Sequence, residues 1–225
     1  MTKYGTAAEV SSAVFSEPPP GVIPLCGGSD QVAPARAAGS RAKRIMDVSV
    51  SVTLLLLLLP SLVLIALAIR LTSRGPVIFR QSRTGLNNQV FAICKFRTMH
   101  VLEDGEGILH ATRNDARVTH VGMFLRSTSL DELPQLFNVL KGEMSIVGPR
   151  PITERESVRY GRYFGSYLAV RPGITGVWQV SGRSSTTYRR RVACDVMYAR
   201  TRSLATNARI IAVTIPMVAI ARGAY

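Results

Sequence analysis

Two adjacent carboxylates, Asp131 and Glu132, lie in the segment "RSTSLDELPQLFNVLKG" of a strongly basic chain. The 225 residues include 28 Lys and Arg against 14 Asp and Glu, which gives a formal net charge of +14. An ionised carboxylate can attack phosphorus to form an acyl phosphate, and a second one can hold Mg²⁺, which often bridges a protein carboxylate and a substrate phosphate. The pair therefore favours phosphoryl transfer, with Asp131 as the nucleophile and Glu132 as the metal ligand.

A purely structural role explains part of the same pattern. Ser129 and Glu132 have the spacing of a capping box, in which the two side chains satisfy backbone N–H groups at the start of a helix. That role leaves Asp131 unexplained. The spacing alone leaves both interpretations open.

Basic residues accompany the carboxylates in the neighbouring motifs. Arg126 precedes them, Arg150 follows in "VGPRP", and "CKFRTM" contributes Lys95 and Arg97. Such cations, together with the positive end of a helix dipole, are expected to keep Asp131 ionised. Arginine side chains also match the oxygens of a phosphate group.

An apolar segment precedes the region that carries these residues. Residues 45–69 contain a single charge, Asp47, and are long enough to span a bilayer. Pro60 removes a backbone donor inside the segment, which kinks or breaks a helix. Basic residues flank both ends, so both ends are expected on the cytoplasmic side. A re-entrant helix–break–helix and a kinked transmembrane helix both remain open on these residues alone.

The rest of the chain predicts an α/β fold, mostly helical with short strands. Strand-like segments at 77–79 and 90–94 flank a Gly-Asn turn, and residues 121–142 read as helix, turn, helix, with Gly142 ending the second. The glycine-rich segment 171–185 is expected to be an irregular loop, which either binds phosphate through backbone N–H groups or only connects its neighbours. Two further helices follow, of which the last suits an interfacial or core position.

Composition narrows the possible partners. Strong positive charge favours nucleic acid, anionic lipid or phosphorylated substrates, but the aromatic-interleaved basic strands of an RNA-binding sheet are absent, so no nucleic-acid partner is expected. The three cysteines are far apart, which argues against a disulfide framework or a zinc module. Residues 1–40, rich in Ala, Ser, Pro and Gly, predict a disordered tail.

Four motifs in order behind the apolar segment resemble the bacterial sugar transferases, the small monotopic phosphoglycosyl transferases that start surface-polysaccharide assembly. The motifs are "KFRTM", "LRSTSLDELPQLFNVLKGEMSIVGPRP", "RPGITGVWQVSGR" and "RGAY". The resemblance extends from residue 41 to residue 225. It implies transfer of a sugar-1-phosphate from a UDP-sugar to undecaprenyl phosphate, with release of UMP, a phosphosugar-aspartyl intermediate and Mg²⁺ as the cofactor.

The resemblance also implies roles for individual residues. Asp131 matches the family's nucleophile and Glu132 its Mg²⁺ ligand. The remaining implied site residues are the phosphate contacts Arg126 and Arg150, the basic strand motif Lys95 and Arg97, and the nucleotide region at Pro149 and Pro151.

The family's architecture implies three parts and a membrane location. These are a tail at 1–40, a membrane re-entrant helix at 41–74 and a catalytic domain at 75–225. The catalytic domain is expected on the cytoplasmic face of the bacterial inner membrane, where interfacial amphipathic helices of the protein contact lipid. The expected Ser before Pro60 is absent, so the break depends on Pro60, with help from Ser61. Arg202 and Asn207 replace an aromatic residue and an Asp that the family often shows.

Within the family, the motifs look most like those of members that start rhizobial succinoglycan with galactose-1-phosphate. Galactose is therefore the expected sugar, and glucose is the main alternative. A homo-oligomer is a further possibility for this class of enzyme. The competing interpretations are a non-catalytic, membrane-anchored basic protein and a scaffold in polysaccharide export, neither of which accounts for Asp131 beside Glu132.

Overall fold

A computed structural model of the chain describes residues 41–100, 115–181 and 187–219. The predicted tail at 1–40 and the closing "RGAY" motif lie outside these residues, as does the end of the glycine-rich segment. The described part is mostly helical with a few short strands, as the sequence predicts.

The first helix, α1 (Arg41–Thr72), is long and apolar enough to cross a membrane by length and composition. Only 6% of its most apolar 18-residue window is buried, so most of its Leu, Val and Ile side chains are exposed. Pro60 lies inside α1 and does not end it. The expected separation into two helices at Pro60 is therefore not seen, and the proline is accommodated within one continuous helix.

A β-hairpin follows α1. Strand β1 (Ile78–Thr84) pairs antiparallel with β2 (Val90–Phe96), which confirms the predicted pair and extends the first strand. The connecting turn has Asn87 and Asn88 in the left-handed region, with φ of 53° and 63°, a conformation that Asn tolerates better than most residues. Phe91 and every second residue after it in β2 lie on one face of the hairpin.

The predicted helix–turn–helix is confirmed. Helix α2 (His120–Thr128) leads through a 3₁₀ turn (Leu130–Glu132) into α3 (Gln135–Lys141). Gly142 ends α3 with φ of 86°, a left-handed conformation that glycine adopts without a steric penalty. The two carboxylates therefore lie in the turn between α2 and α3.

Two three-residue strands, β3 (Ser145–Val147) and β4 (Gly173–Thr175), pair in parallel. The chain between them forms short helical segments, α4 (Glu154–Ser157), a 3₁₀ helix (Val158–Tyr163) and α5 (Phe164–Leu168). Helix α6 (Val177–Val180) follows β4. The last two helices are α7 (Tyr188–Thr201) and α8 (Leu204–Ala219), as predicted.

The prediction of an irregular loop over the glycine-rich segment is wrong for residues 173–180, which form β4 and α6. A Cβ on Gly173 would lie 2.1 Å from the backbone N of Gly148, and one on Gly176 would lie 2.2 Å from the Gly148 carbonyl oxygen. The Gly173 N–H also donates to the carbonyl of Pro149 (2.8 Å). These glycines serve close packing of backbone on backbone.

The start of α1 is bonded to the body of the protein. Lys43 donates to Ser145 Oγ (2.7 Å), and Arg44 donates to the carbonyls of Val139 (2.6 Å) and Leu140 (2.7 Å) at the end of α3. Asp47, only 3% exposed, accepts hydrogen bonds from the hydroxyl of Ser145 and the N–H of Ile146, at 3.0 and 3.1 Å. The beginning of the apolar helix thus holds both α3 and β3.

The end of α1 contacts the same body. Ile69 is buried in a cluster with Phe96 and Leu125, and the Arg97 guanidinium donates to the carbonyl of Ser73 at 2.8 Å. Both ends of the helix therefore pack against the hairpin–helix region that follows it.

Asn207 and Arg202, for which the sequence offers no account, each have a packing role. Asn207 is buried, and its Oδ1 accepts a hydrogen bond from the hydroxyl of Tyr198 at 2.9 Å. Arg202 donates to the carbonyl of Ala169 at 3.1 Å. These contacts join α8 and the α7–α8 connection to the rest of the fold.

Candidate active site

Glu132 lies between two cations that come from different elements. Its Oε1 is 2.6 Å from Lys95 Nζ on β2 and 3.5 Å from Arg150 Nη1, three residues beyond the end of β3. The hairpin, the α2–α3 turn and the β3 end therefore meet at this carboxylate. Lys95 and Arg150 are thus brought together with Glu132 as the sequence predicts.

The capping-box interpretation of Ser129 and Glu132 is wrong. Ser129 has φ of 59°, in the left-handed region, and its side chain makes no capping hydrogen bond. The capping box forms instead at Thr153, whose N–H and hydroxyl donate to Glu156 Oε2 at 2.8 and 3.1 Å. Glu132 is therefore left for contacts with Lys95 and Arg150.

Asp131 has an electrostatic environment different from the one expected. Burial raises the pKa of its carboxyl to about 6, although Lys95 and the nearby arginines Arg126 and Arg150 lower it, and the adjacent Glu132 raises it further. Burial therefore outweighs the cations, although a carboxyl with a pKa of about 6 is still mostly ionised at neutral pH. A carboxylate with a raised pKa is a stronger base and therefore a better nucleophile once it is ionised.

A small, open cleft lies beside Glu132. Its lining residues are Arg83, Ile93, Lys95, Glu132, Gln135, Arg150, Pro151, Gly173 and Ile174.

Four of the predicted site residues line this cleft, namely Lys95, Glu132, Arg150 and Pro151. Asp131 is adjacent to it through Glu132 and interacts electrostatically with two of its cations. Arg126 and Pro149 lie outside the lining, Arg126 in the last turn of α2 and Pro149 with its carbonyl bonded to β4.

Arg97, which the sequence assigns to the phosphate site with Lys95, does not line the cleft. Arg97 is 5% exposed, and its guanidinium donates to the carbonyls of Pro76 (2.6 Å) and Ser73 (2.8 Å). Its neighbour Lys95 points to the carboxylates, whereas Arg97 follows the end of β2 and fastens the end of α1. Its contacts in this structure hold the end of α1 against the hairpin.

A network of arginines continues from the cleft. The Arg150 guanidinium lies 5.8 Å from the centre of the Trp178 ring, and that of Arg191 lies 5.2 Å from it. Glu156 pairs with Arg191 at 3.5 Å and with Arg83 at 3.4 Å. Trp178 therefore packs between cations that connect the dyad to the far wall of the cleft.

The family model for bacterial sugar transferases matches residues 38–221. The chain belongs to the bacterial sugar transferase family. The match covers α1 and every element that forms the cleft, so α1 and the site belong to one family unit.

Several relatives carry informative names. The chain is 44% identical over 198 residues to UDP-glucose:undecaprenyl-phosphate glucose-1-phosphate transferase of Caulobacter vibrioides, covering 84% of this chain and 74% of the relative. It is 41% identical over 233 residues to the exopolysaccharide production protein ExoY of Rhizobium meliloti, covering 96% of this chain and all of the relative. A glucose-1-phosphate transferase of Klebsiella pneumoniae is 44% identical over 191 residues, which are 81% of this chain but only 41% of that protein.

The site of this sugar transferase contains two residues that sequence reasoning missed, Arg83 and Gln135. Arg83 lies near the end of β1. Gln135 is the first residue of α3 and follows Asp131 by four residues, about one helical turn. Helical spacing from the dyad could have indicated Gln135. Nothing in the sequence pattern separates Arg83 from the other arginines of the hairpin.

The carboxylates Asp131 and Glu132 of this sugar transferase are of the donor type that Mg²⁺ prefers. The described residues contain no group of three His, Cys, Asp or Glu side chains that could hold a metal alone. Mg²⁺ commonly binds through one or two protein carboxylates together with substrate phosphate oxygens. Glu132, with Asp131 beside it, offers that donor set.

Proposed function

We propose that this chain transfers a sugar-1-phosphate from a UDP-sugar to undecaprenyl phosphate, releases UMP and thereby initiates exopolysaccharide assembly. The observation that carries the proposal is the Glu132 carboxylate between Lys95 and Arg150, beside Asp131, at the mouth of a cleft. The names of the relatives from Caulobacter and Rhizobium support the substrates and the setting.

The proposed reaction proceeds in two displacements. An Asp131 carboxylate oxygen attacks the phosphorus that carries the sugar, forming an acyl-phosphate bond while the bond to UMP breaks. An oxygen of undecaprenyl phosphate then attacks the same phosphorus, and the acyl-phosphate bond breaks to restore the carboxylate. Because the two substrates react in turn, they need not occupy the cleft together.

The cations of the cleft support the charge that develops during both steps. Lys95 and Arg150 are placed to bind phosphoryl oxygens, and Arg83 adds a third positive charge on the cleft wall. Glu132 would hold the Mg²⁺, which neutralises phosphate charge when it is bound. The three cations exceed the single carboxylate of the lining, so a diphosphate complements the site.

The sugar is a hexose whose identity the relatives' names help to assign. The Caulobacter and Klebsiella relatives are named for glucose, and the name of the Rhizobium relative specifies no sugar. These names give no support to galactose, the sugar expected from the motifs. We therefore place UDP-glucose first and UDP-galactose second.

The test of this function is UMP release by detergent-purified protein. With Mg²⁺ and a polyprenyl phosphate, we expect multiple turnovers with UDP-glucose, UDP-galactose or both, and no turnover when EDTA removes the Mg²⁺. Without the polyprenyl phosphate, we expect about one UMP per active enzyme, because the covalent intermediate has no acceptor. If neither UDP-sugar gives UMP release, the proposed activity is contradicted. Continued turnover without an acceptor would contradict the covalent route.

We further propose that α1 enters the membrane from the cytoplasmic side and returns to it. Asp47 and Ser73 both contact the body of the protein, although a straight helix would separate them by roughly 39 Å at ~1.5 Å per residue. A hydrocarbon core is only ~30 Å thick, so a perpendicular span would place these residues at opposite faces. Insertion into one leaflet with a bend at Pro60 keeps both contacts.

Membrane-impermeant maleimide labelling of intact spheroplasts tests this topology. Cys26 is the natural reporter for the N-terminal side once Cys94 and Cys194 are replaced by Ser. The matched control is Val158→Cys, at a position 77% exposed on the body, in a chain without the native cysteines. We expect both cysteines to label only after permeabilisation. Labelling of Cys26 alone from outside would show that α1 spans the membrane.

A further inference from the structure

Gln135 is a buried amide that reaches the cleft without a partner. It is 2% exposed and lines the cleft. Among the contacts of the described residues, its side chain makes no hydrogen bond. Gln179 differs, because its Oε1 is sealed from solvent and unpartnered. No atom of Gln135 is sealed in that way, so its amide faces the space of the cleft.

The Gln135 amide meets water in the free protein, because none of its atoms is sealed from solvent. A ligand that fills the cleft excludes this water and must supply the hydrogen bonds itself, or it leaves the amide unsatisfied. The protein therefore holds this amide ready for a polar group that enters the cleft.

The surroundings indicate which polar group that is. Lys95, Arg150 and Arg83 already line the cleft as phosphate-binding cations. A phosphate oxygen only accepts hydrogen bonds, whereas an amide both donates and accepts. A hydroxyl group also does both and carries no charge, so it is the matched partner for the neutral Gln135.

The position of Gln135 relative to the dyad agrees with this chemistry. It begins α3 about one helical turn beyond Asp131, and it shares the cleft with the apolar side chains Ile93 and Ile174. A sugar attached to the attacked phosphorus would lie next to the nucleophile. The two isoleucines and the neutral Gln135 form the uncharged part of a lining that is otherwise charged, so an uncharged part of the substrate fits beside them.

We infer that Gln135 binds a hydroxyl group of the transferred sugar and so helps to select the sugar-phosphate donor. This inference rests on the proposed transferase function and adds the residue that contacts the sugar. It requires no change in the bonds made or broken at phosphorus.

The test is a double-mutant cycle between the side chain and the sugar. Wild type and Gln135→Leu are compared by UMP release with the UDP-hexose that wild type uses and with its 2-, 3-, 4- and 6-deoxy analogues. We expect Gln135→Leu to lower kcat/KM for the parent sugar by about 10-fold to 100-fold, because each 1.4 kcal/mol corresponds to tenfold. For one deoxy analogue we expect no further loss, since its hydroxyl is already missing.

Two further variants separate binding from folding. Gln179→Leu makes the same change at a buried glutamine outside the cleft lining. We expect it to lower kcat/KM by the same factor for every substrate, or not to change it. Gln135→Met keeps the length of the side chain without its amide and is used if Gln135→Leu fails to fold. It must show no further loss of kcat/KM with the same deoxy analogue.

Equal losses with the parent sugar and all four analogues would overturn the inference and assign Gln135 to phosphate binding or to packing. That outcome leaves the proposed function intact, because wild type remains active. A wild type that releases no UMP from any sugar refutes the proposed function instead, so the two failures are distinguishable.

Discussion

Replacing Asp131 by Asn is expected to lower UMP release by roughly 10³-fold or more, because losses of that size follow removal of a nucleophile. The amide has almost the same shape as the carboxylate but cannot form the acyl phosphate. The decisive measurement is the first turnover without polyprenyl phosphate. Wild type should release about one UMP per active enzyme, and the variant should release none on the same timescale.

Glu132→Gln is the matched control for this prediction. It removes the neighbouring charge, which contacts Lys95 and Arg150, but leaves the nucleophile in place. We expect slower turnover, a higher Mg²⁺ requirement and a first turnover that is still completed. Full activity of Asp131→Asn, or a completed first turnover in it, would transfer the nucleophile role away from Asp131.

The pH dependence of the first turnover gives the same prediction a second readout. Burial raises the pKa of Asp131 to about 6, and only the ionised form attacks phosphorus. The rate should therefore fall as pH is lowered through about 6 and level off above it. Lys95 lowers this pKa, so Lys95→Met should move the acid limb to higher pH. An acid limb at the same pH in both proteins would contradict the assignment.

Replacing Asp47 by Ala is expected to destabilise the protein by about 3–5 kcal/mol, the range for breaking a buried ion pair by removing one partner. Asp47 lies 3.7 Å from Lys43 and accepts hydrogen bonds from Ser145 and the N–H of Ile146. Its removal leaves the half-buried ammonium of Lys43 and the buried N–H of Ile146 without their carboxylate. Denaturant unfolding in detergent, followed by circular dichroism, measures the change in the free energy of unfolding.

The control for Asp47 is another aspartate with a local ion pair. Asp115→Ala removes the carboxylate that bonds Arg117, two residues away near the start of α2, and leaves the contacts between α1 and the body intact. We expect a smaller loss of stability there. Asp47→Asn should lie between wild type and Asp47→Ala, because the amide oxygen can still accept from Ile146. If Asp47→Ala is no less stable than Asp115→Ala, the anchoring role of Asp47 is wrong.

The helices and strands that were predicted correctly are bounded by residues with a strong local backbone preference. Gly142 marks the end of α3 through its left-handed backbone, and the Asn-rich turn marks the β1–β2 hairpin. Strands β3 and β4 were missed because three residues are too few to show an alternating pattern. Their pairing depends on close contact between Gly148 and Gly173, residues far apart in sequence.

Only the charged residues of the candidate site could be predicted from the sequence. Lys95, Glu132 and Arg150 were recognised by residue type, and the structure places them in contact. Arg97 has the same type and a neighbouring position, but the end of β2 turns it to the carbonyls of Ser73 and Pro76. Side-chain direction at the end of a strand depends on tertiary contacts, and so does burial, which raises the pKa of Asp131.

The contacts at the start of α1 set the order in which the protein can be assembled during translation. Lys43 precedes its partner Ser145 by 102 residues, which corresponds to about 5–20 s of synthesis at ~5–20 residues per second. During that interval the apolar helix has been synthesised, whereas Ser145, whose hydroxyl bonds Lys43 and Asp47, has not. The contacts that fasten the start of α1 to β3 can therefore form only after the whole helix has been made.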